Sequence, residues 1–400
     1  MSSGDLVVRR IGRLLTMAGD SGVGLIENGA VVIEAGRVAW VGRESDLPPG
    51  PDRPELDAAG ACVTPGFVDA HTHAVWAGTR TEEFAARMRG ERYDGGGIRT
   101  TVAATRAAGH DELVRLTLGR LDAMLAHGTT TVEVKTGYAH EPWAEIALLD
   151  VIAEVARRSP ARVEATFLGA HAAPEGDRAA YVEAVSDHMP AAAARGARWA
   201  DVFCDVGAFT LDETLRLLGA AKAAGLLTRV HAEQLARTGA AELAAQVGCA
   251  SADHLDHVDE RGARAMKDRG VVGVLLPTAT LSTRGRSWDS VRVLREAGVT
   301  VALGTDCNPG TSWCESMPYA IQLACLLLEM SVEEAFWAAT AGAATSLRRS
   351  DVGRLSIGRW GDLVVLDAAH EGDLVAHLGA RPAASVVVAG DQQSGSNCSV

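Results

Sequence analysis

Two histidines, His71 and His73, close the apolar run Val63-Thr64-Pro65-Gly66-Phe67-Val68. Alternate residues of a strand project to the same face, so both imidazoles can converge on one cation. Imidazole is also the commonest side chain to ligate a catalytic transition metal. A lone His-x-His arises by chance, and its weight depends on what ends the later β-like runs. Those ends carry Lys135, Thr136 and Tyr138, then His171, His231, His254 and Asp306. One histidine at a strand end is most often a hydrogen-bonded structural residue. Four such histidine sites and a carboxylate together point to metal-dependent hydrolysis.

Catalytic zinc sites use about three protein ligands plus water, sometimes expanding to five-coordinate. His71, His73, His231 and Asp306 make a site of that kind with mixed nitrogen and oxygen donors. Iron(II) or manganese would accept the same set. A bound ion lowers the pKa of its water toward ~7 and polarises a carbonyl. Asp306 can both ligate and take the water's proton. His254 is then placed to hydrogen-bond the carbonyl or the attacking hydroxide.

Such residues meet only if the elements carrying them share a rim. Short β-branched runs alternate with Ala/Leu/Arg-rich helical stretches, and eight barrel strands are predicted: Val63–Asp69, Thr129–Val134, Arg162–Leu168, Trp199–Cys204, Leu227–Val230, Ala250–Asp253, Val271–Leu276 and Val299–Gly304. Helices are predicted over Asp111–Ala126, Glu141–Arg158, Leu211–Ala224 and Asp259–Asp268. Eightfold strand–helix alternation favours an α/β fold of the (β/α)8 TIM-barrel type, in which functional side chains lie at the C-terminal strand ends. No G-x-G-x-x-G follows an early strand, and Gly95-Gly96-Gly97 has no phosphate-loop Lys-Ser/Thr behind it.

Both ends of the chain read differently. Leu6–Val8, Gly24–Ile26, Ala30–Ile33 and Val38–Val41, with Gly361–Asp367 and Ala384–Val388, are short strands broken by turn residues. They predict a small β-sandwich domain built from both termini, residues 1–62 with 350–391, around a catalytic barrel over 63–349. Residues 392–400, polar and Gly/Ser-rich, read as a disordered tail.

A formal net charge of −13 argues against nucleic acid or an anionic membrane surface as partner. No secretory signal and no run of eighteen apolar residues is seen. The seven cysteines are odd in number and scattered, which suits reduced thiols in a cytoplasmic protein. Cys307, beside Asp306, reads as a small apolar neighbour. The exposed helices of a barrel offer flat surfaces for a homodimer, although no segment marks one.

Pro65-Gly66-Phe67-Val68-Asp69-Ala70-His71-Thr72-His73 and the C-terminal Gly353–Val364 segment resemble the amidohydrolase superfamily. Further segments sharpen the likeness: Glu133–Tyr138, Phe167–Ala172, His231–Leu235, Ala252–Leu255 and Thr305–Thr311. With these the chain is similar to the imidazolonepropionase family over nearly its whole length, from about residue 5 to 390. The resemblance implies hydrolytic opening of 4-imidazolone-5-propanoate to N-formimidoyl-glutamate, a step of histidine breakdown. It implies one zinc or iron ion on His71, His73, His231 and Asp306, and a small anionic substrate. Arg80 would hold the substrate's propionate, as a guanidinium fork suits a carboxylate. From the residues alone, Arg80 could equally pair with Glu82 or Glu83. Tyr93, Tyr138 and His171 would line the pocket, and Gln234 would hydrogen-bond a ring nitrogen. Asn308, Gly310 and Thr311 would contact the opened product or the propionate side.

This chain departs from the family pattern in three places. The loop near Tyr93 is shorter than the family's usual spacing. Position 234 is glutamine where some members carry glutamate, and an amide cannot be a base. Cys307 and Thr136 also differ from the expected types. Lys135 reads as an ammonium in a salt bridge, with carbamylation as the alternative. Two other functions compete: a deaminase of an aromatic base, and a catalytically silent binding barrel.

Overall fold

In the computed structural model, residues 4–19, 22–91, 97–172, 176–284, 289–378 and 383–393 are described. Eight parallel strands run in chain order: Phe67–Asp69, Thr129–Lys135, Arg162–Ala170, Trp199–Cys204, Leu227–Ala232, Ser251–His254, Val272–Leu275 and Val301–Leu303. Each hydrogen-bonds its sequence neighbour. The last and first are joined just beyond their ends, where the Asp306 amide donates to the His71 carbonyl (2.9 Å) and that of His73 to Cys307 (3.0 Å). That junction places Asp306 beside the two histidines, although some 230 residues separate them along the chain. Helices such as His110–Ala126, Pro142–Arg158, Leu211–Ala223 and Glu260–Arg269 lie between the strands, each within two residues of its predicted bounds. The Leu211–Ala223 helix starts on a capping box of Thr210 and Glu213, which satisfies end amides that have no partner inside the helix.

The predicted first strand, Val63–Asp69, divides. Cys62–Pro65 belongs to a second, mixed sheet, and only Phe67–Asp69 enters the barrel. At Gly66 the backbone changes partner: the Gly66 amide donates to the Asp362 carbonyl and the Phe67 amide to Gly128 (both 2.9 Å). Glycine is required there, since a Cβ would lie 2.1 Å from the Thr130 hydroxyl oxygen.

The mixed sheet draws on both termini. Leu6–Leu15 pairs with Leu25–Glu34, and Cys62–Pro65 lies between Leu6–Leu15 and Leu363–Leu366. The predicted runs at 24–26 and 30–33 are one continuous strand. Eight strands form one hydrogen-bonded sheet, separate from the barrel. Its core is Leu6, Val8, Ile11, Leu14, Val31 and Ile33 against Leu363, Val365 and Val387. Asp391–Gln393 adds an edge strand on Val386–Val388, so Gln392 and Gln393, expected in the disordered tail, are paired instead. Residues 394–400 lie outside the described residues. No described helix is long and apolar enough to cross a membrane.

Candidate metal centre and active site

Inward-facing residues near the C-terminal strand ends are polar, where barrel interiors usually hold Val, Ile and Leu. On the second strand, Glu133 and Lys135 share a face; on the fifth, Arg229 and His231 do. Asp201, Asp253 and Asp306 come from the fourth strand, the sixth, and the segment after the eighth. All seven are buried. Strand alternation sends each charged residue inward and its apolar neighbours outward to the helices.

Above this layer the donors converge. His73 Nε2 lies 3.3 Å from the Nε2 atoms of both His71 and His231. Asp306 Oδ1 is 3.4 Å from His73 Nε2 and 3.6 Å from His71 Nε2. Two donors held ~2.1 Å from one ion at the tetrahedral angle stand ~3.4 Å apart, so His71, His73 and Asp306 are spaced to share a cation, and His231 adjoins them through His73. Charge makes the same demand. Among the described residues, Asp69, Glu133, Asp201, Asp253 and Asp306 are buried here with Lys135 and Arg229 as cations, an excess of carboxylates that a divalent ion would offset. Burial is the largest cause holding His71, His73 and His254 well below the usual histidine range. They are therefore neutral at pH 7, the form that ligates metals. Burial likewise pushes the Asp306 carboxyl well above its ordinary value, an opposition that a cation would relieve.

Backbone geometry contributes as well. Asp306 (φ 52°) and His254 (φ 78°) are in the left-handed region, which costs a non-glycine residue ~1–3 kcal/mol. His254 closes its strand and Asp306 follows one, where the chain turns sharply and redirects the side chain.

His254 lies with its ring centroid 5.5 Å from that of His71 and 5.3 Å from that of His231. Its buried Nδ1 accepts or donates no hydrogen bond among the described residues. The His171 ring stacks on His73 (4.8 Å, 18° between planes), and Tyr138 stands edge-on to His171 at 5.3 Å. His171 Nδ1 is 2.8 Å from the Gly137 carbonyl, which assigns the proton to Nδ1 and leaves Nε2 as an acceptor.

Arg80 is buried, with Nε and Nη2 on the Glu83 carboxylate at 2.8 and 2.6 Å. The surface pairing that the sequence left open is thus present, but on a buried guanidinium. That guanidinium lies on Gly310, where a Cβ would sit 2.1 Å from Nη1. Both border a cleft of about 650 Å³ lined also by Phe84, Thr278, Pro309 and Trp313. The Asn308 side chain is engaged in its own loop, accepting from the Gly310 and Thr311 amides (2.8 and 2.7 Å) and donating to the Asp306 carbonyl (2.7 Å). Thr311 Oγ1 is 3.5 Å from Asp306 Oδ2. Gln234 is half-buried on the loop after the fifth strand, while the adjacent Glu233 turns to the Gly239 amide and Arg237. Tyr93 lies outside the described residues. Lys135 Nζ sits between Glu133 (2.8 Å) and Asp201 (2.9 Å).

Three residues absent from the sequence reading surround the clustered imidazoles. Asp253 Oδ2 lies 2.7 Å from His71 Nδ1 and 2.7 Å from Arg229 Nη2. Asp201 Oδ2 lies 3.0 Å from His231 Nδ1. For Asp201 and Arg229 the signal was present as single charges inside strand runs, Ala200-Asp201-Val202 and Thr228-Arg229-Val230.

A parallel barrel with imidazoles and a carboxylate gathered at its C-terminal rim is the architecture of a metal-dependent hydrolase. The sequence pattern of the amidohydrolase family matches residues 62–392. An imidazolonepropionase of Salinispora arenicola is 49% identical over 390 residues, covering 96% of each chain. Another, of Streptomyces coelicolor, is 46% identical over 96% of this chain and 97% of its own. Among solved structures, a mutant atrazine chlorohydrolase from Arthrobacter aurescens, complexed with zinc and atraton, superposes with TM-score 0.74 at 19% identity, covering 97% of this chain and 94% of the other. The chain belongs to the amidohydrolase family and, within it, to the imidazolonepropionases.

Proposed function

We propose that this chain opens the ring of 4-imidazolone-5-propanoate by hydrolysis to N-formimidoyl-L-glutamate, using one zinc or iron ion per chain. The supporting observation is the convergence of three Nε2 atoms and Asp306 Oδ1, each within 3.6 Å of a neighbour, with a buried arginine and the loop that follows Asp306 bordering a cleft. His71, His73, His231 and Asp306 would hold the ion, which would supply Lewis acidity and an acidified water when bound.

The remaining groups divide the other tasks. The Arg80 guanidinium takes the propionate, and a flat ring fits the wall formed by Tyr138 and His171. Gln234 hydrogen-bonds a ring nitrogen. His254 donates to the oxygen that gains charge as the carbonyl carbon becomes tetrahedral. Asp306, which would help hold the ion, accepts the attacking water's proton and passes it to the departing nitrogen. Asn308 keeps Gly310 and Thr311 in the tight loop on which Arg80 rests.

The test is turnover of freshly generated imidazolone propionate, followed by loss of its ultraviolet absorbance, with metal content measured on the same sample. Expected are ring opening without ammonia release and close to one metal per chain. Ammonia release from an aromatic base, with no turnover of the imidazolone, would replace this reading with a deaminase. Less than half an equivalent of metal after metal-supplemented expression would favour a binding barrel.

A further inference from the structure

The donors rest on a buried charged layer, and one residue of that layer reaches all three ligating imidazoles without touching any. Glu133 Oε1 is 2.8 Å from Lys135 Nζ, which lies 2.9 Å from Asp201, which in turn stands 3.0 Å from His231 Nδ1. Glu133 Oε1 also faces Arg229 Nη1 at 3.8 Å, and Arg229 is paired with Asp253, the partner of His71 Nδ1. Glu133 Oε2 accepts from the Thr72 amide at 3.2 Å, the peptide between His71 and His73. The Thr166 hydroxyl donates to Oε1 and fixes the carboxylate from a third strand. Glu133, Lys135, Asp201, Arg229 and Asp253 are all at most 1% exposed.

We propose that Glu133 is a positioning residue that sets the orientation of His71, His73 and His231 together, through Arg229–Asp253, the Thr72 amide and Lys135–Asp201 respectively. The inference rests on the metal-centre reading. Two imidazoles each need a proton on Nδ1 so that Nε2 carries a free lone pair, and a carboxylate accepting at Nδ1 imposes that tautomer. Asp253 supplies that acceptor for His71, and Asp201 places its carboxylate 3.0 Å from His231 Nδ1. Each is charge-balanced by a buried cation, and both cations face the same carboxylate. Loss of the Glu133 charge leaves Lys135 to draw on Asp201, and Arg229 on Asp253, each at the expense of a histidine. Partners of this kind typically alter metal affinity ~10–100-fold.

The test is Glu133→Gln, which keeps the shape and the acceptor for Thr72 while removing the charge. Metal affinity is measured by chelator competition with zinc as probe, and thermal stability is measured on metal-free protein. The expected result is zinc affinity weaker by ~10–100-fold, with excess zinc restoring full occupancy. Wild-type zinc affinity in the variant, with only the metal-free stability lowered, would overturn the proposal and leave Glu133 a structural residue. Failure of the wild-type protein to bind zinc would instead defeat the metal-centre reading. Should Glu133→Gln not fold, Thr166→Val serves, since it loosens the same carboxylate. A several-fold weaker zinc affinity then supports the proposal, and an unchanged one overturns it.

Discussion

His254 and His231 are both buried, lie with ring centroids 5.3 Å apart, and are assigned different work. His231 Nε2 lies 3.3 Å from His73 Nε2, within the donor cluster, and its Nδ1 is backed by Asp201. Removing it in His231→Ala deletes one of four ligands and uncovers a buried carboxylate. Metal affinity should fall by more than the ~10–100-fold that loss of an outer partner costs. His254 stands beside His71 and His231, with one ring nitrogen within 4.8 Å of donor atoms of both, but its Nδ1 has no partner among the described residues and the four proposed ligands do not include it. Its removal should leave metal in place and delete one donor to the developing oxyanion, worth ~2.7–4 kcal/mol or ~100–1,000-fold in kcat. The assay is metal content by elemental analysis after exhaustive desalting, with kcat on the same samples. Equal metal loss in both variants, or a His254→Ala enzyme turning over at the wild-type rate, would refute the division of roles.

Other predictions concern the cleft, the metal and the buried carboxyl of Asp256. Arg80→Met should raise KM for the carboxylated substrate ~10–100-fold, the range for lost charge-assisted hydrogen bonds. Gly310→Ala should do the same in part, because its Cβ would meet the Arg80 guanidinium; an unchanged KM in both would remove Arg80 from the substrate. Stripping the metal should lower the melting temperature as well as abolish turnover, since a ligand present at ~1,000 Kd stabilises the fold by ~4 kcal/mol. Identical melting of metal-loaded and metal-free protein would contradict this. Burial pushes the Asp256 carboxyl up to about 7, so the folded chain binds that proton more tightly than the unfolded one. The stabilising contribution is full below the ordinary value of 3.8 and is lost as pH rises through 7. Asp256→Asn, whose amide can still accept from Thr280, should therefore stabilise the protein more at pH 8 than at pH 5, by at most ~3 kcal/mol. A melting difference that is flat across that range would show that Asp256 does not titrate this way.

Much of the barrel was legible because its strands are short β-branched runs of regular spacing; Trp199–Cys204 and the start of Leu227–Ala232 fall where periodicity puts them. Errors cluster where one apolar run serves two sheets. Val63–Asp69 has a single hydrophobic pattern, and only the rival partners Asp362 and Gly128 divide it at Gly66. The polar tail misled in the opposite direction. Gln392 and Gln393 have low strand propensity, yet they pair because Val386–Val388 presents an open edge.

The residue types and their two-residue spacing were enough to specify that histidines and an aspartate would meet at one rim, because alternation along a strand is local stereochemistry. Which nitrogen faces the ion is not local. It is decided by Asp201, Asp253, Arg229 and Glu133, which arrive from other strands and act only through short-range hydrogen bonds and charge in a water-free interior. The Arg80–Glu83 pair, likewise, was one of several pairings allowed by sequence. Burial against Gly310 is what selected it, since packing restricts a long side chain to the few orientations that avoid overlap.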